Sequence, residues 1–298
     1  MPGIETTTLE TPLSDGIMPL SLAGEGTQEN PYQITTVAEF RSMNDSTAYF
    51  KLMNDLDVND SEWATGWTSV TLAFKEFDGN GHEIRNINDL TSNNTITFAS
   101  SGVFKNVKIL NIIKDRGTIF YSGHFIFDFV DTTISASFNE SVLSYLFYSD
   151  SNSALQLFNI RNSAITLAGK LTSILMGLGG NATMTNCMVN FDNAIISGNL
   201  IYTGSSNFIN KISLTGKANI TTSGRYLFGY APKGCYCAVD FTDSTYKPKF
   251  SNTDPANACF YDVDLMGETL TAQTNVHALT TAQCKDKDYL NSIGFVVV

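Results

Sequence analysis

Gly102-Val103-Phe104, Phe125-Ile126-Phe127, Tyr145-Leu146-Phe147, Ile174-Leu175-Met176, Leu200-Ile201-Tyr202, Tyr226-Leu227-Phe228 and Cys259-Phe260-Tyr261 are short apolar blocks spread along residues 102–261. Their last residues are 23, 20, 29, 26, 26 and 33 positions apart. Most are followed by a second, alternating stretch, such as Lys108-Ile109-Leu110-Asn111-Ile112, Thr183-Met184-Thr185-Asn186-Cys187-Met188-Val189, Lys211-Ile212-Ser213-Leu214 and Ala238-Val239-Asp240-Phe241. Asn, Gly, Ser and Thr fill the intervals. A period of about 20–30 residues carrying two or three short strands is the pattern of a solenoid. One turn cannot bury its own apolar face, so turns stack and share a core. A leucine-rich repeat has a similar period, but its spaced Leu and Asn pattern is absent. A β-sandwich would carry turn signals every 8–12 residues, and spacing alone leaves that alternative open. The apolar-in, Asn/Thr-out alternation favours a parallel β-solenoid.

Composition agrees. The chain has 298 residues, 43% hydrophobic and 16% charged, with 27 Asn and 33 Thr. That bias suits strands joined by tight turns rather than a helical bundle. A net charge of −11 speaks against a nucleic-acid surface, which needs clustered Lys and Arg. No apolar run approaches the ~20 residues of a membrane-spanning helix, so no membrane insertion is expected. No Lys or Arg precedes Arg41, and residues 1–29 carry Glu5, Glu10, Asp15, Glu25 and Glu29. That segment lacks the basic n-region and apolar run of a secretory signal. The five cysteines, Cys187, Cys235, Cys237, Cys259 and Cys284, are too few and too odd in number for a disulfide framework. Cys235 and Cys237 would share one face of a strand. They have no nearby His or Cys to complete a metal site and read as small buried apolar side chains.

Both ends are punctuated. Residues 1–30 form an acidic segment without sustained periodicity, interrupted by the apolar patch Ile17, Met18, Leu20 and Leu22. This is either a frayed tail or an attachment arm whose apolar residues bind a partner. Tyr32-Gln33-Ile34 predicts a short strand. Thr36-Val37-Ala38-Glu39 matches a capping box opening a short helix with Val37, Phe40 and Met43 on one face. A strand over 49–53 follows, then turn chemistry over 54–58. The Asp-Gly and Asn-Gly pairs of Phe77-Asp78-Gly79-Asn80-Gly81-His82 predict a tight turn. Near the C-terminus, Thr280-Thr281-Ala282-Gln283 is a second capping box, flanked by Leu279 and Cys284 as a hydrophobic staple. It predicts one helix to about Leu290, then a strand over Phe295-Val296-Val297-Val298 that needs a pairing partner. The expected organisation is an arm over 1–30, a β-helix over 31–278 and a cap over 279–298.

The stretch from Gly24 to Ile34 (Gly24-Glu25-Gly26-Thr27-Gln28-Glu29-Asn30-Pro31-Tyr32-Gln33-Ile34), followed by Val37-Ala38-Glu39-Phe40, resembles the opening segment of bacterial surface β-helix proteins with GLUG-type repeats. Tyr49-Phe50-Lys51-Leu52-Met53-Asn54-Asp55-Leu56-Asp57, Trp67-Thr68 and Phe77 to His82 are similar to the stretches that follow in that family. Residues 279–295 resemble its closing helix and strand. The middle third lacks the family's repeated Gly-Leu-Phe-Gly blocks. The resemblance implies an all-β fold, a right-handed parallel β-helix of the pectin-lyase-like class, with a short N-terminal capping helix and a short C-terminal helix. Such proteins occur as adhesins and as phage structural proteins.

Glycoside hydrolysis needs two carboxylates about 5–9.5 Å apart, and residues i and i+2 of a strand lie about 6.6 Å apart on one face. Asp55 with Asp57, Asp240 near Asp243 and Asp262 with Asp264 are the pairs to weigh. Asn and Asp at solenoid corners also bind backbone groups, and that reading is preferred for them. Neither His82, His124 nor His277 stands in a nucleophile-elbow pattern. No catalytic residue, metal site or cofactor is therefore assigned. Tyr121, Tyr148, Tyr202, Tyr230 and Tyr246 are candidates for stacking on sugars or for filling rungs. The expected function is that of a non-enzymatic bacteriophage virion protein: a fibre, spike or head decoration. It would contact other virion proteins and a host-surface polysaccharide, with a homotrimer suggested by analogy. The alternatives are a cell-surface adhesin and a polysaccharide lyase or hydrolase.

Overall fold

A side chain that points inward from one turn of a solenoid must meet its counterpart on the next turn, so the pairing register defines the core. The computed structural model describes residues 22–91, 93–123, 125–140, 144–149, 156–177, 181–202, 208–229, 232–255 and 258–292. Its strands pair in parallel along three faces. On the first face Val70, Ile96, Phe120, Phe147, Leu175, Ile201, Phe228 and Ser251 stand in one column. On the second the column is Tyr32, Phe50, Phe77, Phe104, Phe129, Ile160, Met184 and Ile209. On the third it is Leu56, Ile84, Ile109, Ile134, Ile165, Val189, Leu214, Cys237, Tyr261 and Ala278. The chain is a parallel β-solenoid.

The apolar blocks that announce this fold do not belong to one face. Phe104 and Phe127 lie on the second face, Phe147 to Phe228 on the first, and Phe260 and Tyr261 on the third. This explains their uneven spacing. Within the first face, partners stand 23 to 28 residues apart, from Phe228–Ser251 to Phe147–Leu175.

The corner between the second and third faces repeats a backbone conformation. Asn106, Asp131, Asn162 and Asn186 all have φ 52°, and Lys211 has φ 53°. Asn and Asp tolerate this left-handed region better than other non-Gly residues. Each such corner is tied to the next rung: Asn106 N–H donates to the Val130 carbonyl at 3.1 Å, Asp131 to Arg161 at 3.1 Å and Asn162 to Thr185 at 3.1 Å. A different irregularity occurs on the third face. Gly216 (φ 93°) passes so close to the previous rung that a Cβ there would lie 2.1 Å from the Phe191 carbonyl oxygen. The register shifts between Phe191 and Ala194 beside it.

The core is unequally built. Its N-terminal half is a stack of rings: Phe77 on Phe104 at 4.7 Å, Phe98 on Phe127 at 3.6 Å and Phe120 on Phe147 at 5.2 Å between centroids. From Ile160 onward aliphatic side chains and the buried Cys187, Cys235, Cys237 and Cys259 are more frequent, with rings such as Phe191, Phe228 and Phe250 interspersed. Burial of large rings stabilises more per rung than burial of small side chains.

The helix predicted at the capping box spans Val37–Arg41, with both hydrogen bonds of the box made and Val37 and Phe40 buried. The second box opens Thr281–Lys285. The single C-terminal helix expected from the sequence is two. Asp286 is extended, and its carboxylate accepts from Tyr289 N–H at 2.9 Å, so it caps a new helix over Lys287–Ser292. Leu279, Cys284 and Leu290 pack with Phe260 and close this end. The strand expected over 295–298 lies outside the described residues. Among the described residues no helix is long and apolar enough to cross a membrane.

One ion pair sits inside the stack. Lys114 Nζ lies 2.7 Å from Asp89 Oδ2, and both side chains are 0% exposed. Asp89 also accepts from Thr91 N–H, Thr91 Oγ1 and Thr95 Oγ1, while Lys114 donates to the Thr91 and Asn93 carbonyls. Burial pushes the Lys114 ammonium below the ordinary lysine range, with Asp89 opposing it. Removing one partner of such a pair is far worse than removing both. Lys114→Met is expected to lower the urea-unfolding free energy by about 3–5 kcal/mol. The Lys114→Met/Asp89→Asn double variant should recover part of that loss.

Candidate functional site

The carboxylates weighed as catalytic pairs lie where rungs turn, and each has at least one oxygen engaged by a neighbouring donor. Asp55 Oδ1 accepts from Glu83 N–H at 3.1 Å and lies 3.0 Å from His82 Nδ1. Asp57 caps the short 3-10 turn over Val58–Asp60 through Asn59 N–H at 3.0 Å. It also accepts from Arg85 Nε at 2.9 Å and Asn86 Nδ2 at 2.8 Å. Asn86 Oδ1 in turn accepts from Asn111 Nδ2 at 2.6 Å, so the contact continues to a third rung. The Glu83 amide, then His82, hold the Asp55 carboxyl below the usual range. Asn86, then Arg85, do the same for Asp57.

The other pairs are engaged in the same way. Asp240 accepts from Thr242 N–H and Oγ1, and these two bonds hold its carboxyl down. Asp243 lies 2.8 Å from Lys217 Nζ. Asp262 caps the helix over Val263–Met266 through Asp264 N–H and Leu265 N–H and accepts from Thr281 Oγ1. Asp264 accepts from Thr281 N–H at 2.8 Å. The two residues thereby dock the C-terminal helix on the last rungs. Among the described residues no group of three or more His, Cys, Asp or Glu is placed to hold a metal ion.

Of the attachment-arm residues, Ile17, Met18 and Leu20 lie outside the described residues. Leu22 is half-buried and packs against the core. The chain after it is fastened to the first rungs by Gln33 N–H to the Ala23 carbonyl at 2.8 Å and Tyr49 N–H to the Gly26 carbonyl at 2.9 Å. His124 and Tyr230, and the side chain of Tyr202, are likewise outside. His277 stacks on Phe260 at 5.4 Å, a packing contact. Tyr121 and Tyr148, both half-exposed, stack on neighbouring rungs at 6.1 Å, and Tyr145 stacks on Tyr148 at 5.1 Å. Tyr246 is exposed.

Two features were not visible as sites in the sequence. Arg41 is sandwiched between Trp63 at 4.6 Å and Trp67 at 4.4 Å and donates to the Thr68 carbonyl and Oγ1, both at 2.9 Å. The adjacent open cleft is lined by Thr36, Asp55, Asp57, Asp60, Glu62 and Trp63. Thr36 and Arg41 come from one stretch and Asp55 to Thr68 from the next, and the stacked fold brings the two together.

No family profile and no curated protein matches the sequence. Among solved structures the chain is similar to "a putative immunoglobulin A1 protease from Bacteroides ovatus", with 17% identity, coverage of 91% of this chain and 90% of that chain, and a TM-score of 0.45. This likeness concerns the course of the chain and says nothing about chemistry.

The corner carboxylates set an acid dependence. A carboxyl whose folded pKa lies below its unfolded value of about 4 contributes stability above that value and loses it as pH falls through the folded pKa. Urea midpoints should therefore be flat from about pH 7 to 5 and fall below about pH 4. Asp57→Asn should be less stable than wild type at pH 7, and the gap should close as pH falls below the unfolded carboxyl range. A gap unchanged at low pH would show that shape, not charge, is what Asp57 contributes.

Proposed function

We propose that the chain is a non-enzymatic structural protein of a bacteriophage virion, serving as a fibre, spike or head decoration, whose solenoid flank meets a host-surface glycan. The observation that carries the non-enzymatic part is the use of Asp55, Asp57, Asp240, Asp262 and Asp264 as corner and helix-cap acceptors. A hydrolase needs one carboxyl free to protonate a leaving group and another free to attack or to activate water. The buried thiols at Cys187, Cys235, Cys237 and Cys259 fit assembly in a reducing cytoplasm. The GLUG-type features at residues 24–90 support a surface-exposed β-helix, which the virion and adhesin readings share.

Peptide mass spectrometry on density-purified virus particles and on washed cell envelopes from the source culture tests this. Recovery in particles, at constant copy number relative to capsid protein, is the expected result. Recovery in envelopes alone would overturn the virion role and make the chain a cell-surface adhesin.

A further inference from the structure

Asp89 and Lys114 are direct neighbours on adjacent rungs, in register between the strands Asn88–Asp89 and Lys108–Lys114. Lys114 Nζ ends 2.7 Å from Asp89 Oδ2, and neither side chain is exposed. An ammonium has three N–H donors, and here each has an acceptor. One points at the carboxyl group and two at the Thr91 and Asn93 carbonyls. The carboxyl group is held as closely. Its Oδ1 accepts from Thr91 N–H at 3.0 Å and from Thr91 Oγ1 at 2.7 Å, and its Oδ2 accepts from Thr95 Oγ1 at 2.7 Å. Thr95 is itself buried.

On a surface water would solvate both charges and keep the two groups apart as ions. Inside the stack burial disfavours both charges, and it pushes Lys114 toward its neutral form. Passage of one proton from Nζ to Oδ2 along their hydrogen bond leaves an amine beside a carboxylic acid. The two carbonyls hold the remaining N–H groups, so the lone pair left behind faces the carboxyl group. Attack of Nζ on Cγ forms the C–N bond and puts negative charge on Oδ1, where Thr91 N–H and Oγ1 already donate. Donors placed in this way stabilise such an oxyanion. A second Nζ proton then passes to Oδ2, beside the Thr95 hydroxyl, and the bond from Cγ to Oδ2 breaks to release water. Ammonium and carboxylate give amide and one water, with no oxidant or other reactant. The fixed geometry removes the entropy of encounter, and a site closed to solvent favours expelling the water.

We propose that Lys114 and Asp89 condense to a side-chain amide that covalently joins two rungs of the solenoid, with Thr91 and Thr95 as the donors that activate the carboxyl group. The ion pair is the state before condensation. The bond forms whether or not the chain belongs to a virion.

Intact-mass spectrometry of the newly synthesised full chain, followed with time and combined with tryptic mapping of the denatured protein, tests this. The expected result is conversion to a species lighter by one water. Trypsin separates residues 86–105 from residues 109–116 in the main chain, so the amide is read as a branched peptide that keeps the two together with Lys114 uncleaved. Thr95→Val should slow the conversion at least about tenfold, and an unchanged rate would overturn its role. Lys114→Arg keeps a cation on a side chain that cannot form this amide, and should show neither the mass loss nor the branched peptide. Asp78-Gly79 can also lose water by closing to a succinimide, but that product opens in mild base and carries no branch. A water loss retained in Lys114→Arg without a branched peptide in wild type would therefore overturn the amide, as would a wild-type mass that stays at the full value. The branched peptide is sought in the wild-type chain, so the result stands even where a variant does not fold.

Discussion

The corner at Asn106, Asp131, Asn162, Asn186 and Lys211 is the constraint on which the rest of this solenoid depends. Side chains on a strand alternate between faces, so a corner one residue longer or shorter would turn an inward column outward. Because the corner is made the same way on successive rungs, Phe104 finds Phe129, Ile134 finds Ile165, and the columns run unbroken past it. The turn costs little where Asn or Asp occupies it. Its amides close onto the next rung, so the conformation that directs the chain is also part of the ladder that joins the turns.

Given that register, packing is assembled from single-residue choices. Rings meet rings in the N-terminal half, where Phe74 alone contacts Phe50, Phe77, Phe98, Phe104 and Phe127. Smaller side chains are more frequent later, and there the close passage of Gly216 against Phe191 accommodates a shift of register. Lys114 and Asp89 are an exception in an apolar interior. Their pair, with Thr91 and Thr95, replaces packing with a closed polar network that ties residues 89–95 to a neighbouring rung. A network of this kind is stable only while every member is present.

Much of this was readable in the residues. The two capping boxes were local signals with local consequences, and both form as written. The repeat gave the architecture. Three things were not readable. Apolar blocks look alike on every face, so Phe104 and Phe147 seemed to be one column although they lie on different faces. The break at Asp286 depended on whether its carboxylate would cap a new helix or leave the old one running. The surroundings of Asp57 and Arg41 come from partners 22 to 29 residues away. For Asp55 and Asp57 the corner hydrogen bonds were nonetheless legible, because short acidic side chains beside turns have nearby amides to accept from.

The direction of the backbone hydrogen bonds has a mechanical consequence. In a parallel solenoid they point from rung to rung, along the axis of the stack. Tension applied to the two faces of a rung boundary loads all the bonds of that boundary together. Tension applied through a chain end loads them one after another, as a thread is drawn from a coil. The terminal closures, Phe40 against Phe77 at one end and Leu290 with Phe260 at the other, are therefore where such a coil would first be held or first give way.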